Sequence, residues 1–208
     1  MTHRDTAARV LFGSKILNNA IRGHYIEALA FDALQRHDQE HSLPLRWRYV
    51  GLSWGPWDLQ RGTAQDKNRV RIQVRAKASQ QLWEPGTPSR QEYDLGWKNS
   101  KKLPKYFARD FDPLLIGECE LVGYRTDLFL LAWHGPNPAT DAVIRGDDQS
   151  DPNNYDYFIL RAPKSADPNS SPLRRLSIRT MFEEKLRSAN FSGLADALNG
   201  AADEFLRQ

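Results

Sequence analysis

Cysteine is nearly absent: Cys119 is the one thiol in 208 residues. The chain therefore has no internal disulfide and no thiolate metal cluster, and Cys119 reads as a small buried apolar residue, not a nucleophile. Long apolar runs are missing as well. No stretch approaches the roughly 20 residues of a membrane-spanning helix, and the N-terminus carries no apolar core of a secretory signal, which predicts a cytoplasmic protein with no membrane role. Charge of one sign is scarce too, since 29 Lys and Arg against 26 Asp and Glu leave +3. Any nucleic-acid surface must then come from local clustering, not from the chain as a whole. Internal repeats and low-complexity tracts are absent. With 40% hydrophobic and 26% charged residues, the composition is that of an ordinary globular protein, most simply one domain over 1–208.

The sharpest pattern runs from Val70 to Trp83. Val70, Ile72, Val74, Ala76 and Ala78 alternate with Arg71, Gln73, Arg75, Lys77 and Ser79, which predicts a strand with one core face and one row of cations and an amide. Upstream, Trp54 to Trp57 reads as a turn anchored by tryptophan packing. Asp58 opens a short apolar segment, and a polar turn returns the chain as the Val70 strand. In such a hairpin Asp58 lies beside Gln73. A carboxylate, an amide oxygen and two cations then meet at one edge of a sheet.

The remaining elements follow from periodicity. Residues from about Thr6 to His37 read as helical, with a stripe of Leu17, Ala20, Ile21, His24, Ala28, Phe31 and Leu34. Glu27 falls inside that stripe, where a carboxylate is costly unless paired or facing a polar cavity. Leu45 to Leu52 and Tyr93 to Trp97 predict short strands, and Asp127 to His134 a doubly buried central one, with His134 at its C-terminal end. A basic loop insertion spans about 84–117. Its Lys98, Lys101, Lys102 and Lys105 are interleaved with aromatics and suit phosphate contact and base stacking. Residues 136–154 read as a flexible surface excursion and Tyr155 to Arg161 as a strand. The segment 177–208 is expected to be helical, with Thr180 and Glu183 as a capping box and Leu194, Leu198, Ala201 and Phe205 as a core or dimer stripe. The fold class is α/β (α+β), a mixed central sheet flanked by helices.

The stretches Asn18 to Leu29, Gly55 to Leu59, Arg71 to Arg75 and Gln81 to Trp83 together resemble the PD-(D/E)XK nuclease superfamily, in particular an uncharacterised bacterial branch with this restriction-endonuclease-like fold. The resemblance spans roughly Leu17 to Leu186. It implies a metal-dependent endonuclease that hydrolyses DNA phosphodiester bonds, with Mg²⁺ or Mn²⁺ as cofactor and a tie to restriction or mobile-element defence. Asp58 would be the direct metal ligand. Gln73 and the Val74 carbonyl would complete the set, with Glu27 outer or bridging. The sequence departs from the pattern in two places. Gln73 stands where a stronger acidic ligand is usual, and Arg75 stands where the family has lysine; a guanidinium stays protonated and cannot accept a proton. Lys77, on the same strand face, is the substitute. Alternatively the chain is a weakened relative that binds nucleic acid through Arg71, Arg75, Lys77 and the lysine loop without cutting it, or an interaction protein that keeps only the fold. Double-strand cleavage would fit a homodimer.

Overall fold

The computed structural model describes residues 13, 15, 17–44, 46–50, 57–62, 69–80, 91–95, 124, 126–140, 146–162, 173–184 and 186–208. Helix α1 (Asn19–Glu40) is followed by β1 (Trp47–Tyr49), β2 (Leu59–Arg61), β3 (Val70–Ala78), β4 (Glu92–Asp94), β5 (Leu128–His134), β6 (Asp156–Arg161) and β7 (Arg175–Ser177). Helix α2 (Ile178–Glu183), β8 (Arg187–Ala189) and α3 (Leu194–Leu206) complete the chain. Six strands form one mixed sheet in the order β1-β2-β3-β5-β6-β8, and β4 pairs with β7 in a second, two-stranded sheet. Within the large sheet β3 and β5 run parallel and every other neighbour is antiparallel. The protein is thus mixed α/β, as expected.

Strand β5 is buried along its whole length, and its first six side chains feed two cores. Leu128, Leu130 and Ala132 join Val70, Ile72 and Val74 of β3 beneath α1 and α3. Phe129, Leu131 and Trp133 face the other way and pack with Tyr93, Leu176, Ile178 and Met181, contributed by β4, β7 and α2. Gly135 ends the strand beneath the Trp133 indole, where a Cβ would lie 2.4 Å from the ring.

Helix α1 starts at Asn18, whose side chain accepts from the Ala20 amide at 2.9 Å. Its buried face is Arg22, Ile26, Glu27, Ala30, Leu34 and Asp38, a four-residue ladder with Glu27 beside it. The expected stripe through Ala20, His24 and Ala28 is exposed instead. Polar residues at both ends of the true stripe hide its register: Arg22 is held by Gln149 and Asn19, and Asp38 by Arg46 at 2.7 Å.

The stretch 177–208 is not helical throughout. It contains β8, which closes one edge of the main sheet against β6, and Ser177 caps α2 by accepting from the Thr180 amide at 3.0 Å. Thr180 is inside the helix, so the cap lies three residues earlier than expected. Helix α3 uses its apolar stripe as core, with Leu194, Leu198, Ala201 and Ala202 buried. The expected lysine loop and the residues around Cys119 and Trp54 lie outside the described residues. Leu130 is wholly buried in the larger core, so Leu130→Ala should cost about 3 kcal/mol in urea-induced unfolding.

Candidate active site

The residue pinned most tightly by the hairpin is Asp58. Its amide donates to the Ile72 carbonyl at 2.9 Å and its carbonyl accepts from the Val50 amide at 2.8 Å. Its carboxylate Oδ2 accepts from the Val74 amide at 2.7 Å. One residue therefore ties β1, β2 and β3 together. Beside it, Trp57 is fully buried and donates its indole N–H to Gln60 at 3.0 Å. The pairing of Leu59 with Ile72 sets Asp58 level with Gln73 one step further along the hairpin.

Glu27 approaches Asp58 from α1. Both residues are buried, 8% and 7% exposed overall, and burial, followed by the Glu27 charge, pushes the Asp58 carboxyl up to about 7 against the pull of the Val74 amide, Arg75 and His24. Glu27 Oε2 accepts from the Tyr49 hydroxyl at 2.9 Å and lies 3.2 Å from His24 Nδ1. Burial and Glu27 together raise the Tyr49 hydroxyl well above its ordinary value. Among the described residues neither Glu27 nor Asp58 forms an ion pair with lysine or arginine. No group of three His, Cys, Asp or Glu side chains among them has metal-cage geometry.

The basic row of β3 disperses. Arg71 is gripped by Asp127, with Nε and Nη2 each 2.9 Å from its carboxylate and the Arg71 amide at 2.8 Å, and its guanidinium lies 5.2 Å over the Trp57 ring. Lys77 reaches toward the Tyr93 ring, 6.0 Å from its centroid. Arg75 is exposed and is the member of the row whose charge acts on Asp58. Gln73 is half-buried, level with Phe129 across the parallel pair. It is the Val74 amide, not its carbonyl, that meets Asp58. Lys98, Lys101, Lys102 and Lys105 lie outside the described residues.

His24 and Tyr49, neither expected in the site, are the groups that hold Glu27. The i, i+3 spacing of His24 and Glu27 on a helix was the available signal; Tyr49 reaches Glu27 from another element and leaves none.

A second polar cluster lies at the C-terminal end of β5. His134 is fully buried, neither ring nitrogen has a hydrogen-bond partner among the described residues, and Tyr155 meets the ring edge-on at 5.1 Å. Burial lowers its pKa below the ordinary 6.5. Nearby Gln149, buried within the segment expected to be a surface excursion, accepts from the Leu17 amide and from Arg22 Nη1 at 2.9 and 2.7 Å and donates to the Gln80 carbonyl at 3.0 Å. No family model, curated protein or solved structure matches the chain.

Two pH responses follow. The raised carboxyl of Asp58 contributes stability that is fully present below 3.8 and lost as the pH climbs to about 7, a swing of about 4 kcal/mol. Asp58→Asn keeps an acceptor for the Val74 amide, so it should raise the Tm at pH 8 by several degrees and leave it little changed at pH 4. His134 acts in the opposite sense: its neutral form favours folding above pH 6.5, and that contribution is lost as the pH falls. Calorimetric melting of His134→Phe should show a smaller loss of Tm between pH 7 and pH 5 than the parent chain.

Proposed function

We propose that the chain is a metal-dependent nuclease of the PD-(D/E)XK type acting on DNA phosphodiester bonds. The observation that carries this reading is the pair of buried carboxylates, Glu27 and Asp58, within electrostatic reach of each other and with no lysine or arginine paired to either among the described residues. Two such groups are unfavourable in isolation. Hard oxygen donors are what Mg²⁺ and Mn²⁺ take, and Mg²⁺ is commonly held by one or two carboxylates with the rest of its shell water and substrate phosphate. The donor set therefore fits the ion without a three-residue cage. When bound, such an ion activates water and neutralises charge gathering on the phosphate.

The order of elements supports the same family. A helix bearing Glu27 precedes three antiparallel strands, Asp58 opens the second of them, and the third, bearing Gln73 and Arg75, is extended by a parallel strand. In this reading Asp58 and Glu27 hold the metal, and the Val74 amide and the Tyr49 hydroxyl fix one oxygen of each carboxylate. Arg75 steadies the anionic phosphate and takes no part in proton transfer. Gln73 lies level with Asp58 and contributes at most a neutral oxygen.

Plasmid and single-stranded DNA incubated with Mg²⁺ or Mn²⁺ provide the test. The parent chain should cut, and Asp58→Ala or Glu27→Ala should reduce the rate at least 100-fold. Because the proton and the metal compete for Asp58, Mn²⁺ should raise the Tm more at pH 8 than at pH 6. Absence of cutting together with an unchanged Tm would overturn the nuclease. Retention of DNA on a gel would in that case point to the binding protein without cleavage.

A further inference from the structure

We infer that His24 is the proton acceptor of this site, oriented for the task by Glu27; the inference rests on the nuclease reading above. Hydrolysis is accelerated by a group that takes a proton from the attacking water. Arg75, at the position where the resemblance leads one to expect lysine, cannot do so, and Lys77 is drawn toward the Tyr93 ring. The carboxylates are the groups that hold the cation. His24 remains.

Its geometry suits the role. Nδ1 is 3.2 Å from Glu27 Oε2, and the Tyr49 hydroxyl donates to that same oxygen at 2.9 Å. With the Glu27 oxygen as acceptor of this contact, Nδ1 is the donor and Nε2 is left to take the proton. The His24 side chain is 56% exposed whereas Glu27 is 11% exposed. The imidazole thus stands between solvent and the buried pair, within electrostatic reach of Asp58. A surface ion pair at i, i+3 ordinarily joins two solvated groups; here the carboxylate is buried and held by a second donor from β1, which fixes the ring it orients. In the proposed step Nε2 takes one proton from water while the water oxygen bonds to phosphorus. The bond from phosphorus to the leaving nucleoside oxygen breaks with its electron pair on that oxygen, which is then protonated by solvent. His24 returns its proton to solvent.

The full-length chain allows two independent tests. In long-range ¹H–¹⁵N spectra of the metal-free protein at pH 8, His24 should show the Nδ1–H tautomer, and Glu27→Ala should shift it toward Nε2–H; an Nε2–H tautomer in the parent chain would overturn the inference. Asn retains a donor toward Glu27 and lacks a base. His24→Asn should therefore leave Mn²⁺ affinity, read from the dependence of Tm on Mn²⁺, within about threefold while kcat on labelled DNA falls about 100-fold or more. Unchanged kcat would refute the role of His24 and leave the nuclease standing. Failure of the parent chain itself to bind Mn²⁺ and cut would overturn both.

Discussion

Burial of β5 on both faces is the constraint from which the architecture follows. A strand whose seven side chains are all buried has to be covered on both sides, so the chain supplies α1 and α3 on one face and the small β4–β7 sheet with α2 on the other. Its parallel register with β3 requires a connection long enough to cross the sheet, unlike the antiparallel pairs on either side. The outer positions then fall to short strands of three residues, β1 and β8, which limits the open edge. β3 is left with one face in the larger core and the other bearing polar side chains, and the hairpin that brings Asp58 to it completes the site.

Within this frame buried carboxylates are treated in two ways. Asp38 is wholly buried but accepts from the Arg46 side chain at 2.7 and 3.1 Å and from the Arg46 amide at 3.0 Å, and these bonds outweigh burial to hold its carboxyl below the usual value. Asp127 clasps Arg71 with both oxygens. Each of these is a carboxylate whose cost is offset within the fold. Among the described residues Asp58 and Glu27 are instead hydrogen-bonded by amide, hydroxyl and imidazole groups. The same chain that pairs its structural acids with arginine leaves these two without a lysine or arginine partner among the described residues. That contrast is the strongest argument that their partner comes from outside.

The legible parts of the fold were those where burial follows a simple period. Val70 to Ala78 alternates and is β3; Leu128 to His134 is continuously apolar and is β5. The α1 register was not legible, because Arg22 and Asp38 occupy buried positions through bonds to Gln149, Asn19 and Arg46, residues that the helical period does not reveal. β7 and β8 have three residues each, Arg-Leu-Ser and Arg-Ser-Ala, too few and too polar for any period to emerge. They exist because β4 and β6 offer edges to pair with. Of the candidate site, Asp58 and Glu27 were visible as misplaced charges. Tyr49, which fixes Glu27, was hidden because a tyrosine in a short strand has an ordinary explanation.

Alternation also assigned Arg71, Gln73, Arg75 and Lys77 to one face of β3 but could not say what each would meet. The structure divides them by neighbour. Arg71 lies where the parallel strand begins, and Asp127 meets it there; Lys77 lies where β4 crosses, and an aromatic ring meets it. Only Arg75, between these two anchors, is exposed while still acting on Asp58. A basic row in sequence thus becomes a single outward cation at the mouth of a buried acidic pair. Arg75 and His24 are exposed, and the two carboxylates beside them are buried. In the nuclease proposed above, the exposed cation would meet the substrate phosphate and the buried carboxylates would hold the metal ion, so that neither charge would have to enter the site unaccompanied.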